Sequence, residues 1–407
     1  MFYGWYIVVA SMLLTVFNGG IVVYGFTAFV NPIAATFGWS YAQIALAMSL
    51  RGVETGALNP LFGMAVDRWP PNRLVLIGVI VFALGLFCLS QVTNMVMFYV
   101  SFLIIALGSS LAAFMVPTTM VARWFRRDVG KASGVLAMGV GIGGVLLPLL
   151  VKMIDTYGWQ NVLLFLAAII CVLGIPISFV FRSRPEDYAL LPDGKPQADF
   201  PSSLSTHDFG TGVKETLKTR AFWYIGVASM FQIAAIGALT VHIMPYLVSL
   251  GLERSHAGMI AMLVPLVSLA MRIPSGFLAD IFQKKYIMAL SCGLTGIGLF
   301  LFWLTDGGSL SLMLLAAITF GCGTGGFTPI RVPIVKEYFG TKNFGTIFGL
   351  MSIFITIGMI SAPPLAGWVF DTLGVYDPIW LILSGVAMLG AIVILNLPPA
   401  SGAVVEN

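Results

Sequence analysis

The chain has 407 residues, of which 58% are hydrophobic and only 9% charged, where soluble domains carry about 25% charged and roughly 45–50% apolar residues. Its mean hydropathy is +0.97, and a chain this apolar has too little polar surface to cover a water-soluble fold. That excludes a cytosolic enzyme, a disordered chain and a nucleic-acid binder, and turns the net charge of +4 into a question of membrane topology.

A membrane-spanning helix needs about 20 mostly apolar residues. Twelve such stretches follow one another, centred in 5–35, 41–66, 74–92, 95–122, 129–154, 160–181, 220–249, 255–280, 286–304, 309–335, 342–370 and 377–397. The first has no basic stretch before it and is far longer than a signal-peptide core, so it is expected to be a retained membrane helix. A polar segment from Arg182 to Arg220, rich in Pro, Asp, Ser and Lys, separates six helices from six, with a short amphipathic helix expected near Val213–Lys218. The expected organisation is an N-terminal six-helix bundle over 1–182, a linker over 183–219, a C-terminal six-helix bundle over 220–398 and a tail over 399–407. The fold class that follows is an all-α membrane protein of two pseudo-symmetric bundles. Cys88, Cys171, Cys292 and Cys322 lie singly in apolar segments, without metal-ligand spacing.

Basic residues set the orientation. Sixteen of the 21 lysines and arginines fall in loops on the linker's side, including Arg68, Arg73, Arg123, Arg126, Arg127 and Lys131, whereas the opposite side holds only Lys152 and Arg254. The linker and both termini are therefore expected in the cytoplasm, and the chain in the cell's inner membrane. The remaining three, Arg51, Arg272 and Arg331, lie inside helices.

The two halves repeat. Trp5-Tyr-Ile-Val-Val-Ala-Ser-Met12 recurs as Trp223-Tyr-Ile-Gly-Val-Ala-Ser-Met230, and Gly63-Met-Ala-Val-Asp67 recurs as Gly276-Phe-Leu-Ala-Asp280. Trp124-Phe125 before Gly130-Lys-Ala-Ser-Gly134 recurs as Tyr338-Phe339 before Gly345-Thr-Ile-Phe-Gly349. Parallel six-helix repeats imply two bundles related by an axis along the membrane normal, a substrate site near the midplane and alternating access by rocking.

Gly63-x-x-x-Asp67-Arg68 followed by Arg73, with its copy Gly276-x-x-x-Asp280, resembles the loop motif of the major facilitator superfamily. There the glycine permits close helix packing and the aspartate favours a facing helix N-terminus, so these residues, with Arg127, read as a gate latch. A narrower resemblance is to the monocarboxylate transporter family. It rests on Trp124-Phe125-x-Arg127 with Ala132, Gly134, Gly139 and Gly143, on Tyr3-Gly4-Trp5 opening helix 1, and on Arg272 with Pro274, Gly276 and Asp280. The chain resembles a bacterial member carrying lactate-like acids, and the resemblance makes Arg272 the ligand of the substrate carboxylate. Animal members place an Asp one turn before this arginine, where Ser268 stands here, and a Lys in helix 1, which here has no charge.

The residues themselves suggest the same division of labour. An intramembrane arginine is costly, faces a cavity or a partner, and matches a carboxylate with two hydrogen bonds. The repeat mate of Arg272 is Asn59, so this charge is not part of the duplicated latch. Arg51 and Glu54, three apart, can share a helix face; they read either as a self-neutralising pair or with Glu54 as a proton carrier. Arg331 reads as a structural gate partner. His242, before Pro245 and Tyr246, is either a satisfied core histidine or a group that binds carboxylate or proton. Tyr24, Phe26, Phe327 and Ser268 are further candidates for lining the substrate site.

No nucleotide-binding loop, hydrolase elbow or zinc-protease motif occurs, so no metal, cofactor or enzymatic reaction is expected. The expected activity is proton symport of a short monocarboxylate such as L-lactate or pyruvate by a monomer in the lipid bilayer, without nucleic acid. The rival is an oxalate/formate-type carboxylate antiporter.

Overall fold

The computed structural model describes residues 2–188, 190–194, 210–305 and 309–398. Part of the linker, including Lys195 and His207, and the tail over 399–407 lie outside the described residues. Twelve long helices account for most of the described chain. They are α1 (Tyr3–Phe37), α2 (Tyr41–Arg68), α3 (Pro71–Ser90), α4 (Met95–Trp124), α5 (Val129–Tyr157) and α6 (Trp159–Ser178). After the linker come α7 (Arg220–Ser249), α8 (Arg254–Ile281), α9 (Lys284–Trp303), α10 (Leu310–Phe339), α11 (Phe344–Leu373) and α12 (Asp377–Leu395). The short helix Val213–Lys218 precedes α7.

Eleven of the twelve are long and apolar enough to cross a membrane. The exception is α2, which has 28 residues and so has the length, but it carries Arg51, Glu54, Asp67 and Arg68. It starts with a capping box, in which the Ser40 hydroxyl accepts from the Gln43 N–H at 3.2 Å and the Ser40 N–H donates to the Gln43 side chain at 2.9 Å. The turn between α1 and α2 passes through Gly38 at φ 68°, and that between α5 and α6 through Gly158 at φ 80°, backbone conformations that glycine adopts without a Cβ clash.

Two helices of the first half are not α-helical throughout. Asn18–Val23 in α1 and Leu111–Met115 in α4 are π-helical. Their counterparts α7 and α10 run unbroken through 30 residues each.

The chain forms two compact units. The first comprises residues 1–210 together with 341–350, so it takes in the opening turns of α11; the second comprises 211–340 and 351–407. In the first unit α3 packs on α4 and α6, and α1 on α5. In the second, α9 packs on α10 and α12, α8 on α10, and α7 on α12. The second core is built around Trp380, Tyr246, Phe302 and Phe320, all buried.

Small residues bring these helices together, as membrane packing requires where lipid offers no hydrophobic driving force. Gly139 and Gly143 of α5 lie directly against the α1 backbone, so that a Cβ on Gly139 would run into Thr15 Oγ1 and the Met12 carbonyl. Thr15 Oγ1 in turn donates across to the Leu136 carbonyl at 3.0 Å. Gly298 and Gly323 serve the α9–α10 contact in the same way. Gly139→Val is therefore expected to destabilise the detergent-solubilised protein by about 1–3 kcal/mol, the usual range for overpacking. Gly385→Val, where a Cβ meets nothing within 4 Å, leaves the unfolding temperature unchanged; thermal unfolding followed by light scattering and intrinsic fluorescence distinguishes the two.

Candidate functional site

At the end of α2, Gly63 sits so close to the Gly345 and Thr346 backbone that no side chain fits. One turn on, the Asp67 carboxylate meets the first turn of α11. It accepts from the Gly345 N–H at 3.0 Å, the Thr346 N–H at 2.8 Å and the Thr346 hydroxyl at 2.8 Å. All of these residues belong to the first unit. A helix starts with N–H groups that have no intrahelical acceptor and with the positive end of its dipole, and Asp67 supplies both an acceptor and a negative charge. Arg123 of α4 completes the arrangement, with Nη2 at 3.0 Å from Asp67 Oδ1 and side chains only 8% and 7% exposed.

Arg123 is the functional residue that sequence reasoning missed. Arg127 was the residue expected in the latch, and this is corrected. Arg127 is exposed, and its backbone N–H, with that of Arg126, donates to the carboxylate of Asp193 in the linker at 2.8 and 3.1 Å. Arg123 lies inside α4, one turn before Arg127, on the face turned to α2. Arg68 and Arg73 are exposed basic residues flanking the turn from α2 to α3. The internal repeat does not copy the pair. The residue before Tyr338 is Glu337, which binds Lys284 at 2.8 Å, so the second unit has the acid where the first has the base. Gly276 and Asp280, the repeat mates of Gly63 and Asp67, are buried and half-buried near the end of α8.

The two aromatic signatures meet. Tyr3 and Phe2 pack on Trp124 at 5.5 and 5.9 Å, and Trp5 on Phe125 at 5.1 Å. Trp124 Nε1 donates to the Arg182 carbonyl at 3.0 Å, and the Arg182 guanidinium lies 4.0 Å above the Tyr3 ring. These residues clamp the start of α1 to the end of α4.

Within α2, Glu54 is 5% exposed. It accepts at Oε2 from Ser110 of α4 and from Thr55, both at 3.3 Å. Arg51, one turn earlier, acts on it as an opposing charge without a direct ion pair among the described residues. Ser110 is the residue from which α4 passes into its π-helical segment.

In the second unit Arg272 and Ser268 lie one turn apart on α8, between Pro265 and Pro274. The Ser268 backbone touches α10 at Gly325, where a Cβ would collide with the Ser268 carbonyl. Phe327 is buried, with the Arg331 guanidinium 5.9 Å from its ring. His242 is held from both sides. Its Nε2 lies 2.9 Å from the Pro363 carbonyl and its Nδ1 3.1 Å from the Tyr376 hydroxyl. A carbonyl only accepts, which assigns the N–H to Nε2 and makes Nδ1 the acceptor in the neutral ring.

In the first unit Tyr24 closes the π-helical segment of α1, its N–H bonded to the Gly19 carbonyl at 2.9 Å and its ring lying over Gly144. Phe26, expected to line the substrate site, is instead buried edge-to-face against Phe102, with ring centres 4.7 Å apart. Its ring faces α4 after the bend at Tyr24–Gly25 and, with Phe29 and Phe102, lines a small internal cavity. Nearby, α1 and α5 bound a cleft of about 540 Å³ that includes Thr27, Asn31 and Asp155.

A family model described as Major Facilitator Superfamily matches residues 11–264 and 243–406. The chain belongs to the major facilitator superfamily. It is a multi-pass membrane transporter with the twelve-helix fold of that family. Monocarboxylate transporter 12 of Xenopus laevis is 25% identical to it over 100% of this chain and 90% of that protein. Monocarboxylate transporter 13 of Rattus norvegicus is 26% identical over 97% and 89%. Among solved structures, a proton:xylose symporter bound to 6-bromo-6-deoxy-D-glucose superposes with a TM-score of 0.76 at 14% identity, over 97% of this chain and 96% of that one. The E. coli fucose:proton symporter does so with a TM-score of 0.72 at 14% identity, over 98% and 100%; these likenesses concern the fold alone.

Asp67→Ala removes the buried carboxylate that meets Arg123 and the first turn of α11, and is expected to destabilise the protein by about 3–5 kcal/mol. Arg127→Ala, which keeps the backbone bond to Asp193, changes little; unfolding temperatures of the two variants in one detergent test the assignment.

Proposed function

We infer that this transporter carries short monocarboxylates, L-lactate and pyruvate being typical, together with a proton by alternating access. The observation that carries the reading is Arg272. Placing an arginine near the centre of a membrane helix costs about 2.5–3.5 kcal/mol, so its charge belongs on a water-lined side of the helix. Arg272 is nine residues from the end of α8, or about 13 Å at 1.5 Å per residue, well inside the span. Of the six helices in the second unit, α8 is the least covered by protein among the described residues. A guanidinium fork binds one carboxylate through two parallel hydrogen bonds, and Ser268, one turn away, offers a hydroxyl on the same side.

Tyr24 and His242 are the further polar groups we assign to the substrate path, with His242 reaching substrate only by giving up its Pro363 or Tyr376 contact. The relatives named monocarboxylate transporters support the substrate class, and the proton:xylose and fucose:proton symporters show that this fold accommodates proton coupling in other proteins. One arginine neutralises one carboxylate. Moving a proton with the anion makes the cycle electroneutral, so the pH gradient rather than the voltage drives it. An oxalate/formate-type exchanger would have to hold a dianion, and α11 offers no lysine or arginine between Phe344 and Leu373 for a second contact. We place the protein in the cell's inner membrane as a monomer, with the linker and both termini in the cytoplasm, on the strength of the basic-residue asymmetry.

The test is uptake of labelled L-lactate into proteoliposomes under an imposed inward proton gradient, which is then collapsed with an ionophore. Accumulation follows the gradient, ignores a potassium-diffusion potential, and falls by about 100-fold or more in Arg272→Ala, in line with loss of a buried charge-paired contact worth roughly 3 kcal/mol. Uptake that requires a counter-anion inside the vesicles would instead identify an exchanger, and full uptake by Arg272→Ala would remove the substrate role of this residue.

A further inference from the structure

Sequence reasoning offers two candidates for the proton of the symport reading, His242 and Glu54, and the structure treats them differently. Both ring nitrogens of His242 already have partners on other elements, the Pro363 carbonyl and the Tyr376 hydroxyl. Adding a proton at Nδ1 would force the Tyr376 hydroxyl to turn its own proton away. Glu54 has one oxygen engaged by two long hydroxyl contacts, whereas Oε1 is buried and has no hydrogen-bond partner among the described residues. A buried carboxylate oxygen without a donor is expensive when charged and inexpensive when it carries its own proton.

We propose that Glu54 is the proton-binding residue of this transporter, and that Ser110, at the start of the π-helical segment of α4, positions it. The proposal rests on the symport reading above. The step forms one O–H bond: Glu54 carboxylate takes a proton from water on the acidic side, leaving the carboxylic acid, and returns it to water on the other side. Electrons do not move.

The surroundings make this group responsive to a single proton. Arg51, one turn earlier on α2, is the charge that acts on it. Around Glu54 the elements packed on α2 in this unit add none; Arg123 of α4 meets α2 at Asp67, 13 residues further on. The outer half of α1 over Phe26–Phe37 has no charged residue. On the facing part of α4, Met95–Met115 has none, and its Tyr99 hydroxyl is engaged at the far end of α2 with the Gln43 carbonyl at 2.9 Å. The opening turns of α11 from 344 to 350 have none.

Protonation of Glu54 therefore leaves Arg51 without an opposing charge, and adds one positive charge to the span. That charge attracts an anion, which makes binding of proton and carboxylate mutually favourable; by linkage each raises the affinity for the other by the same factor. A π-helical turn is a common feature of functional sites in helices. Here it places the hydroxyl of Ser110 opposite the carboxylate, so that a change in the register of α4 would make or break the contact.

The experiment uses the full-length protein reconstituted in lipid, with two readouts. Infrared difference titration, without any substrate, reads the protonated carboxyl band; labelled L-lactate reads accumulation under a proton gradient and exchange at equal pH. In the wild type we expect a protonated-carboxyl band that titrates. It disappears in Glu54→Gln and remains in Arg272→Ala, while Ser110→Ala shifts its midpoint. Glu54→Gln is further expected to lose gradient-driven accumulation by a factor about tenfold larger than its loss of exchange, and to bind L-lactate with an affinity that no longer depends on pH. A band unchanged by Glu54→Gln, or accumulation by Glu54→Gln equal to that of the wild type, overturns the proposal. A band lost in Glu54→Gln when the wild type moves no L-lactate supports Glu54 as the proton site and sinks the substrate reading instead. Ser110→Ala retains every ionisable group, so its shifted midpoint reports on the site even if Glu54→Gln unfolds.

Discussion

The carboxylate of Asp67 holds three helices in one place. It caps the first turn of α11 through two backbone N–H groups and the Thr346 hydroxyl, and it neutralises Arg123 of α4 from its own position on α2. Burial of both side chains makes the loss of either partner costly. The close approach that brings α11 within reach depends on Gly63 and Gly345, whose backbones touch.

The repeat in the sequence conceals a division between the halves. Arg272 and its mate Asn59 occupy the same position, yet one is a cation and the other a buried amide. Arg123 and Glu337 occupy equivalent positions before an aromatic pair, and carry opposite charge. The π-helical segments are confined to α1 and α4. The scaffold is thus shared, while the chemistry is not. We assign the substrate charge to the second half and the proton site to the first.

The aromatic signatures at the two ends of this division illustrate how motif residues earn their place by structure. Tyr3-Gly4-Trp5 and Trp124-Phe125, far apart in the chain, form one cluster with Arg182 stacked upon it. None of these side chains is in a position to touch a substrate at mid-membrane. They fix the start of α1 to the end of α4, the two helices that contain the π-helical turns.

Composition and periodicity alone gave twelve spans, and the structure has them within a few residues, because lipid allows few alternatives to a helix with all its backbone bonds satisfied internally. The short helix at Val213–Lys218 was equally legible from its pattern. Glu54, Asp67 and Arg272 stood out because charge in a membrane helix is rare. What could not be read was which charges meet. Arg123 and Arg127 are one turn apart in a basic stretch, and only the crossing of α2 and α4 turns the first inward to Asp67 and leaves the second in water. Phe26 follows a bend that no hydrophobic pattern reveals, so its ring points into the core. Arg51 and Glu54 have the spacing of a pair and interact through charge, but the hydroxyl contact from Ser110 of α4, 56 residues away, has no signal in the sequence. Sequence determined which segments cross the membrane and which residues bear charge there, since both follow from local transfer energies; the partners of those charges were decided by helix packing, because they come from distant parts of the chain.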